Sequence, residues 1–225
     1  MPVHHAIIMA GGRGMRMMPL TDIVPKAMAP FDGTTLIARR IEKIKEIIPN
    51  IHITVGYMGA MLAKHVIEHK VNSIFNTEGH DNCWWVFNTL MKNLNEPVFV
   101  LTCDNIVDLN FSMLEKDYYS LKEPACMVVP VKPIEGLEGD FIFQDENRVT
   151  ELTRQRKGEI YCSGIQILNP AKINALMEPC DNFYNLWQNL INKQQLFCSN
   201  IYPDKWFAVD TLSQLSMANK QQNEL

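Results

Sequence analysis

Ala6-Ile7-Ile8-Met9-Ala10, followed at once by Gly11-Gly12-Arg13-Gly14-Met15-Arg16, decides how the rest of the chain is read. Five apolar residues in a row predict a short buried strand. Glycines at its end allow a turn whose backbone N–H groups approach an anion without Cβ clashes. Arg13 and Arg16 add charge-assisted donors. Two spellings are excluded. A dinucleotide fingerprint needs glycine three residues after Gly14, where Met17 stands, and a P-loop needs Gly-Lys-Ser/Thr, which is absent. Taken alone, the loop reads equally as an anion cradle and as a glycine turn with solvated arginines.

Beyond the loop, apolar runs alternate with helical spacing. Leu36 to Ile48 predicts a helix ending before Pro49, Ile51 to Val55 a strand, Ala60 to His69 a helix and Val71 to Phe75 a strand. Trp84 to Asn93 predicts a helix, and Val98 to Leu101 a strand leading into Asp104. Later, Cys126–Val131, Asp140–Gln144 and Ile160–Leu168 predict strands, and 171–177 and 183–193 helices. The βαβαβαβ order predicts an α/β fold, a three-layer αβα arrangement with a mostly parallel mixed sheet, Rossmann-like, as one domain over residues 1–225. Ligands in such sheets bind beyond the carboxyl ends of the strands, where the glycine loop and Asp104 both fall.

Composition narrows the class. The net charge is −4 over 225 residues, with 47% hydrophobic residues. That suits a core-forming domain and excludes the basic stripe of a nucleic-acid binder. A polyphosphate ligand must then be held by local cations. Six scattered cysteines without a CxxC pair read as free thiols in a reducing cytosol. No apolar run reaches the ~18 residues of a membrane span, so a soluble, cytoplasmic protein is expected. His65-Val66-Ile67-Glu68-His69 spells a zinc-peptidase pattern, but Met61, Leu62, Val66 and Ile67 already give that helix an apolar face.

The loop's continuation is more specific. Gly11-Gly12-Arg13-Gly14-Met15-Arg16-Met17-Met18-Pro19-Leu20-Thr21, then Pro25-Lys26, resembles the N-terminal motif of the sugar-nucleotide pyrophosphorylases, or sugar-1-phosphate nucleotidyltransferases. The resemblance implies a nucleotidyltransferase fold. It also implies an enzyme that joins a nucleoside triphosphate to a phosphorylated small molecule and releases pyrophosphate. Arg16 and Lys26 would grip the triphosphate as the catalytic cations. Ala10, Gly11, Gly12, Arg13, Gly14, Met15, Asn76 and Asp104 would complete the nucleotide site.

The triphosphate should come with Mg²⁺, which takes carboxylate, phosphate and water oxygens. Asp104, at the end of Val98-Phe99-Val100-Leu101-Thr102-Cys103-Asp104, resembles the family's strand ending in Gly-Asp, with Cys103 in place of the glycine. Trp206-Phe207-Ala208-Val209-Asp210-Thr211 resembles the family's C-terminal aspartate motif. Asp104 and Asp210 are the expected metal ligands; a turn aspartate and a helix N-cap are the plainer readings. Asp108 is a candidate for the layer behind them.

On the acceptor side, Cys162-Ser163-Gly164-Ile165 resembles the family's Asn-Ala-Gly strand, but the Glu-Lys-Pro segment before it is missing. Arg154, Arg156 and Lys157 stand there instead. Arg154, Arg156 and Gly164 are the acceptor-side candidates, although Lys and Arg are not equivalent at a phosphate. Trp84 and Trp85 read either as core or as a stacking surface. The first expectation is a sugar 1-phosphate acceptor. A cytidylyltransferase acting on phosphocholine or another non-sugar phosphate is the second, and a nucleotide-binding regulatory protein that has lost the chemistry is the third.

Overall fold

The computed structural model describes residues 2–134 and 139–223. Its elements run β1 (His5–Met9), β2 (Pro30–Phe31), β3 (Thr34–Thr35), α1 (Leu36–Lys45), β4 (Asn50–Val55), α2 (Gly59–Ile67), β5 (Ser73–Asn76) and α3 (Trp84–Asn88). There follow β6 (Val98–Thr102), β7 (Asn105–Asp108), α4 (Phe111–Ser120), β8 (Cys126–Val131), β9 (Phe141–Asp145), β10 (Arg148–Thr153) and β11 (Tyr161–Leu168). The chain ends with α5 (Pro170–Leu176), α6 (Phe183–Asn192), β12 (Leu196–Cys198), β13 (Lys205–Ala208) and α7 (Leu212–Asn223). Short 3₁₀ turns cover Met15–Met17, Leu20–Asp22, Lys26–Met28 and Leu90–Asn93.

Two compact units emerge. The first comprises His5–His80, Leu101–Ile106 and the described residues of Phe207–Leu225; the second, Asp81–Val100 and Val107–Trp206, with the described residues of Met1–His4. In the first unit β1, β4 and β5 run parallel, in the order β5-β4-β1. Parallel neighbours need a crossover, and α1 and α2 supply it. Thr35 starts α1 by accepting the Ala38 N–H at 3.2 Å. Leu36, Ile37, Ala38, Ile41 and Ile44 then bury one face of the helix. The helix ends three residues short of the predicted Ile48, although the Ile48 N–H still reaches the Ile44 carbonyl at 2.8 Å.

The second unit carries the order β6-β11-β8-β12-β10-β9. β11 lies antiparallel to β6 and β8, β8 and β12 are parallel, and β10 is antiparallel to β12 and β9. The sheet is therefore mixed, as expected. Gly164 sits in β11 with φ +81°, where the register with β8 shifts between Cys162 and Gln166; a bulge of this kind re-aims neighbouring side chains. Gln166 is buried, and its Oε1 accepts the Trp187 indole N–H at 2.9 Å.

Several elements were not read from the sequence: β7, α4, β10, β12, β13 and α7. The predicted helix Trp84 to Asn93 splits in two. Thr89 leaves the helical region (φ −115°, ψ 176°), its hydroxyl donates to the Trp85 carbonyl at 2.7 Å, and it starts a new turn by accepting the Met91 N–H at 3.2 Å. Trp85 is fully buried and belongs to the core; Trp84 is only half-buried. Among the described residues, no helix is long and apolar enough to cross a membrane.

Candidate active site

The glycine loop leaves β1 packed tightly against its parallel neighbour. The Gly11 carbonyl accepts the Tyr57 N–H at 3.0 Å, and the Ala10 N–H reaches Thr54 Oγ1 at 3.1 Å. A Cβ on Gly11 would stand 2.9 Å from Thr77 Oγ1, and one on Gly56 only 2.6 Å from the Gly11 carbonyl oxygen. These glycines let two strand ends touch. Gly14 answers two demands at once: its φ is +66°, and a Cβ there would sit 2.8 Å from Lys26 Cβ. Gly12 differs, because a Cβ there meets nothing within 4 Å. The space over the Gly12 backbone is open to a ligand.

Thr21, within the Pro-Leu-Thr run, donates its hydroxyl to the Gly14 carbonyl at 3.1 Å and so ties the loop to the segment behind it. Met17 is buried between the exposed Met15 and Arg16 side chains and Met18. It packs in a cluster with Ala29, Phe31, Leu36, Val209, Leu215 and Ala218. That cluster fixes the glycine loop, the start of α1 and α7 against one another.

Four charged residues converge here. Lys26 Nζ donates to Asp104 Oδ2 at 2.5 Å and to Asp210 Oδ1 at 2.8 Å; Arg16 reaches the same Asp210 oxygen at 3.0 Å. The backbone explains how two distant aspartates meet: the Val209 N–H donates to the Asp104 carbonyl at 2.9 Å. Thr211 and Gln214 then turn the chain into α7. The Gln214 N–H donates to Thr211 Oγ1 at 3.2 Å, and Gln214 Oε1 accepts the N–H groups of Asp210 and Thr211 at 2.8 and 3.0 Å. This is a reciprocal cap, and Thr211, not Asp210, caps the helix.

The electrostatics follow from burial and pairing. Lys26 is 9% exposed. Burial alone would lower its pKa, but the Asp104 charge and the hydrogen bonds to both aspartates outweigh that and hold it above its ordinary value. Burial would raise Asp104, and Lys26 reverses this, holding the carboxyl below its ordinary range. Arg40, on the inner face of α1, is a charge the sequence reading missed: it is 7% exposed, and burial pushes its guanidinium down to about 10 against the opposing influence of Cys103 and Asp104. Burial pushes the Cys103 thiol up to about 12, with Asp104 acting in the same direction.

The remaining expected residues fall elsewhere or face outward. Arg13 lies over the Tyr57 ring, 5.2 Å from its centroid. Asn76 is exposed at the end of β5 and caps its own turn, accepting the Glu78 N–H at 3.0 Å. In the second unit, Arg154 is bound to Asp140 through Nε at 2.9 Å and a terminal nitrogen at 3.2 Å. Arg156 pairs with Glu151 and stacks on Phe143. Both acceptor-side arginines thus already have carboxylate partners. Lys157 and Asp108 are exposed. His65 of the zinc-like pattern meets Thr35 Oγ1 at 2.9 Å, beside the start of α1.

A glycine turn meeting two cations and two carboxylates, on a parallel α/β unit, is an arrangement chemically suited to an anionic ligand. The chain belongs to the MobA-like NTP transferase domain family, whose sequence model matches residues 6–155. It is similar to the mannose-1-phosphate guanyltransferase 2 of Candida glabrata, 28% identical over an alignment of 207 residues that covers 85% of this chain and 57% of that one. It is also similar to the bifunctional protein GlmU of Methanococcus aeolicus, 38% identical over 154 residues, 68% of this chain and 36% of that one. The chain therefore spans little more than half the length of the guanyltransferase. The CTP:phosphocholine cytidylyltransferase of Streptococcus pneumoniae has the same fold, with a TM-score of 0.76 at 19% identity over 97% of this chain and 98% of that one. The Rossmann-like nucleotidyltransferase fold expected from the sequence is the fold of this chain.

Proposed function

We propose that the protein transfers a nucleotidyl group from a nucleoside triphosphate to a sugar 1-phosphate, forming a nucleoside-diphosphate sugar and releasing pyrophosphate. The observation that carries this reading is the meeting of Lys26, Arg16, Asp104 and Asp210 where Lys26 packs against Gly14 of the glycine loop. The acceptor phosphate oxygen attacks the α-phosphorus in line, and pyrophosphate leaves. Negative charge then shifts between phosphate oxygens, so fixed cations and positioning carry the catalysis. Arg16 and Lys26 face that charge, and the N–H groups of the Gly11–Gly14 loop cradle it.

The donor set suits Mg²⁺. Asp104 and Asp210 aim oxygens at one cation, the Lys26 ammonium, 2.5 and 2.8 Å away. Among the described residues they are not part of a group of three or more metal-binding side chains. Mg²⁺ typically takes one or two carboxylates and fills its shell with phosphate oxygens and water. Asp104 and Asp210 would hold it, and it would supply charge neutralisation at the polyphosphate.

The similarity to mannose-1-phosphate guanyltransferases puts GTP and mannose 1-phosphate first among substrates to assay. One observation keeps a non-sugar acceptor as the second reading: no Glu-Lys-Pro lysine is present, and Arg154 and Arg156 are engaged with Asp140 and Glu151. A grid of four triphosphates against sugar 1-phosphates and phosphocholine, with pyrophosphate detection, separates the two. Asp104→Ala should abolish pyrophosphate release while circular dichroism stays native. Undiminished turnover in that variant, or no release by the unaltered protein with any pair, would sink the proposal.

A further inference from the structure

Cys83 and Cys180, far apart in the chain, are neighbours in the second unit. The segments that carry them are stitched together by backbone. The Cys83 N–H donates to the Asp181 carbonyl at 2.9 Å, and the Phe183 N–H to Asn82 Oδ1 at 2.9 Å. Asn182 then fixes the start of α6 by accepting the Asn185 N–H at 2.9 Å. With the backbones held in this way, the Cys83 and Cys180 thiols lie against each other, and the Cys180 thiol donates to the Asn182 carbonyl at 3.8 Å. Both thiols are reduced. They differ in access: Cys83 is fully buried, whereas Cys180 is half-buried and lines a cavity of about 540 Å³ with Leu176, Pro179, Asn189 and Lys193. Nothing in the proposed transfer reaction uses either residue.

We propose that Cys83 and Cys180 are a peroxide-sensitive pair, in which a hydroperoxide entering the cavity oxidises Cys180 and Cys83 resolves the product into a disulfide. The Cys180 thiolate attacks one peroxide oxygen; the O–O bond breaks, Cys180 becomes a sulfenic acid, and hydroxide leaves and takes up a proton as water. The Cys83 thiol then loses its proton and attacks the Cys180 sulfur. The S–O bond breaks, and the hydroxyl leaves with that proton as a second water. Two thiols lose two electrons in all, and one hydrogen peroxide gains them.

The order of events follows from the two environments. The thiolate is the reactive form, and reaction needs access. The contact with Cys83 draws the Cys180 thiol below its ordinary value, against the opposing effects of burial and Asp181. Burial pushes the Cys83 thiol up. The accessible sulfur is therefore the attacking one, and the sealed sulfur waits for a partner.

The test uses the reduced full chain, equimolar hydrogen peroxide, alkylation of remaining thiols and trypsin under non-reducing conditions. Cys83 falls in tryptic residues 71–92 and Cys180 in 173–193, with no other cysteine in either peptide. The expected result is a linked pair of these two peptides, about 2 Da lighter than their sum, formed at the expense of both alkylated peptides. Cys180→Ser should leave Cys83 reduced, and Cys83→Ser should leave a sulfenic acid at Cys180 that dimedone traps. Should Cys83→Ser fail to fold, Cys83→Ala replaces it, and the unaltered chain is decisive by itself. Recovery of both thiols alkylated after peroxide, a dimedone adduct at Cys180 of the unaltered chain without linkage, or linkage of either residue to Cys126 or Cys162 would each overturn the proposal.

Discussion

Lys26→Met separates the two roles given to the ammonium, as counter-charge in the fold and as donor to phosphate. Methionine keeps the volume and removes the charge, leaving Asp104 and Asp210 facing each other with Arg16 alone. Removing one partner of a buried ion pair costs about 3–5 kcal/mol. Here the side chains of Asp104 and Asp210 keep 24% and 20% of their surface in contact with solvent, so screening brings the expected cost below that range, to about 2–3 kcal/mol. A ceiling also exists: neutralising one carboxyl of ordinary pKa 3.8 at pH 7 costs about 1.36 × 3.2, or roughly 4 kcal/mol. Urea unfolding at pH 7 measures the loss. Mg²⁺ should then restore the variant more than it stabilises the unaltered protein, because the ion takes the place the ammonium has left. At a concentration about 100 times its dissociation constant it returns roughly 2.7 kcal/mol. The acid limb should move as well. In the unaltered protein Asp104 is held below its ordinary value, so its contribution is present above pH ~4 and is lost as pH falls through the lowered value. In Lys26→Met that loss begins at higher pH. A variant as stable as the parent, or one whose urea midpoint ignores Mg²⁺, refutes the reasoning.

Four further outcomes are expected. Gly12→Ala should leave the urea midpoint within about 0.5 kcal/mol and weaken triphosphate binding at least about tenfold by calorimetry, since its Cβ enters open space. Gly14→Ala should instead cost about 1–2 kcal/mol or more, because of its φ of +66° and the contact with Lys26. Thr211→Ala should cost about 1 kcal/mol by removing the cap of α7, and should weaken Mg²⁺ binding because Asp210 precedes that cap. His52, held between His5 at 3.0 Å and Ser73 at 2.7 Å, is lowered to about 4 by burial and then by His5. A histidine uncharged in the fold stabilises fully above its ordinary 6.5, and that stability drains as pH falls from 6.5 toward 4. The full difference is about 3 kcal/mol, and residual solvent contact reduces it to roughly 1–2. His52→Asn should flatten the urea midpoint between pH 7 and pH 4.5; an unchanged slope counts against this account.

What the sequence announced was what it spelled contiguously. The strand, the glycines, Arg16 and Lys26 lie within one stretch, and Asp104 ends an unmistakable apolar run. Those features need no tertiary information. Asp210 was found only by likeness to a motif, and the reason it reaches Asp104 is a single backbone hydrogen bond from Val209 that no local pattern encodes. Gly56 and Thr77 escaped notice because their part is to be small or hydrogen-bonded where Gly11 presses on them. Arg40 looked like one more charge on a helix, yet it occupies the buried face with Ile37, Ile41 and Ile44. Thr211-Leu212-Ser213-Gln214 did carry a local signal, the capping-box spelling. It went unread because the helix that follows has no strong apolar stripe; Leu215 and Ala218 are its residues in the core among those described.

The same cluster that made α7 hard to read explains why fold and chemistry are inseparable in the first unit. Met17 lies one residue after Arg16, and Val209 one residue before Asp210; both are sealed in the core that also holds Leu215 and Ala218. Arg16 and Asp210 are thus each carried by an adjacent buried anchor. Lys26 is anchored differently, through its own stem against Gly14 and its own burial. A charge mounted on a core residue pays its ordering entropy during folding, not when the ligand arrives. That is the physical advantage of drawing the site from three separate stretches of chain: packing of apolar neighbours positions cations and carboxylates within hydrogen-bond distance, where repulsion between Asp104 and Asp210 alone would drive them apart.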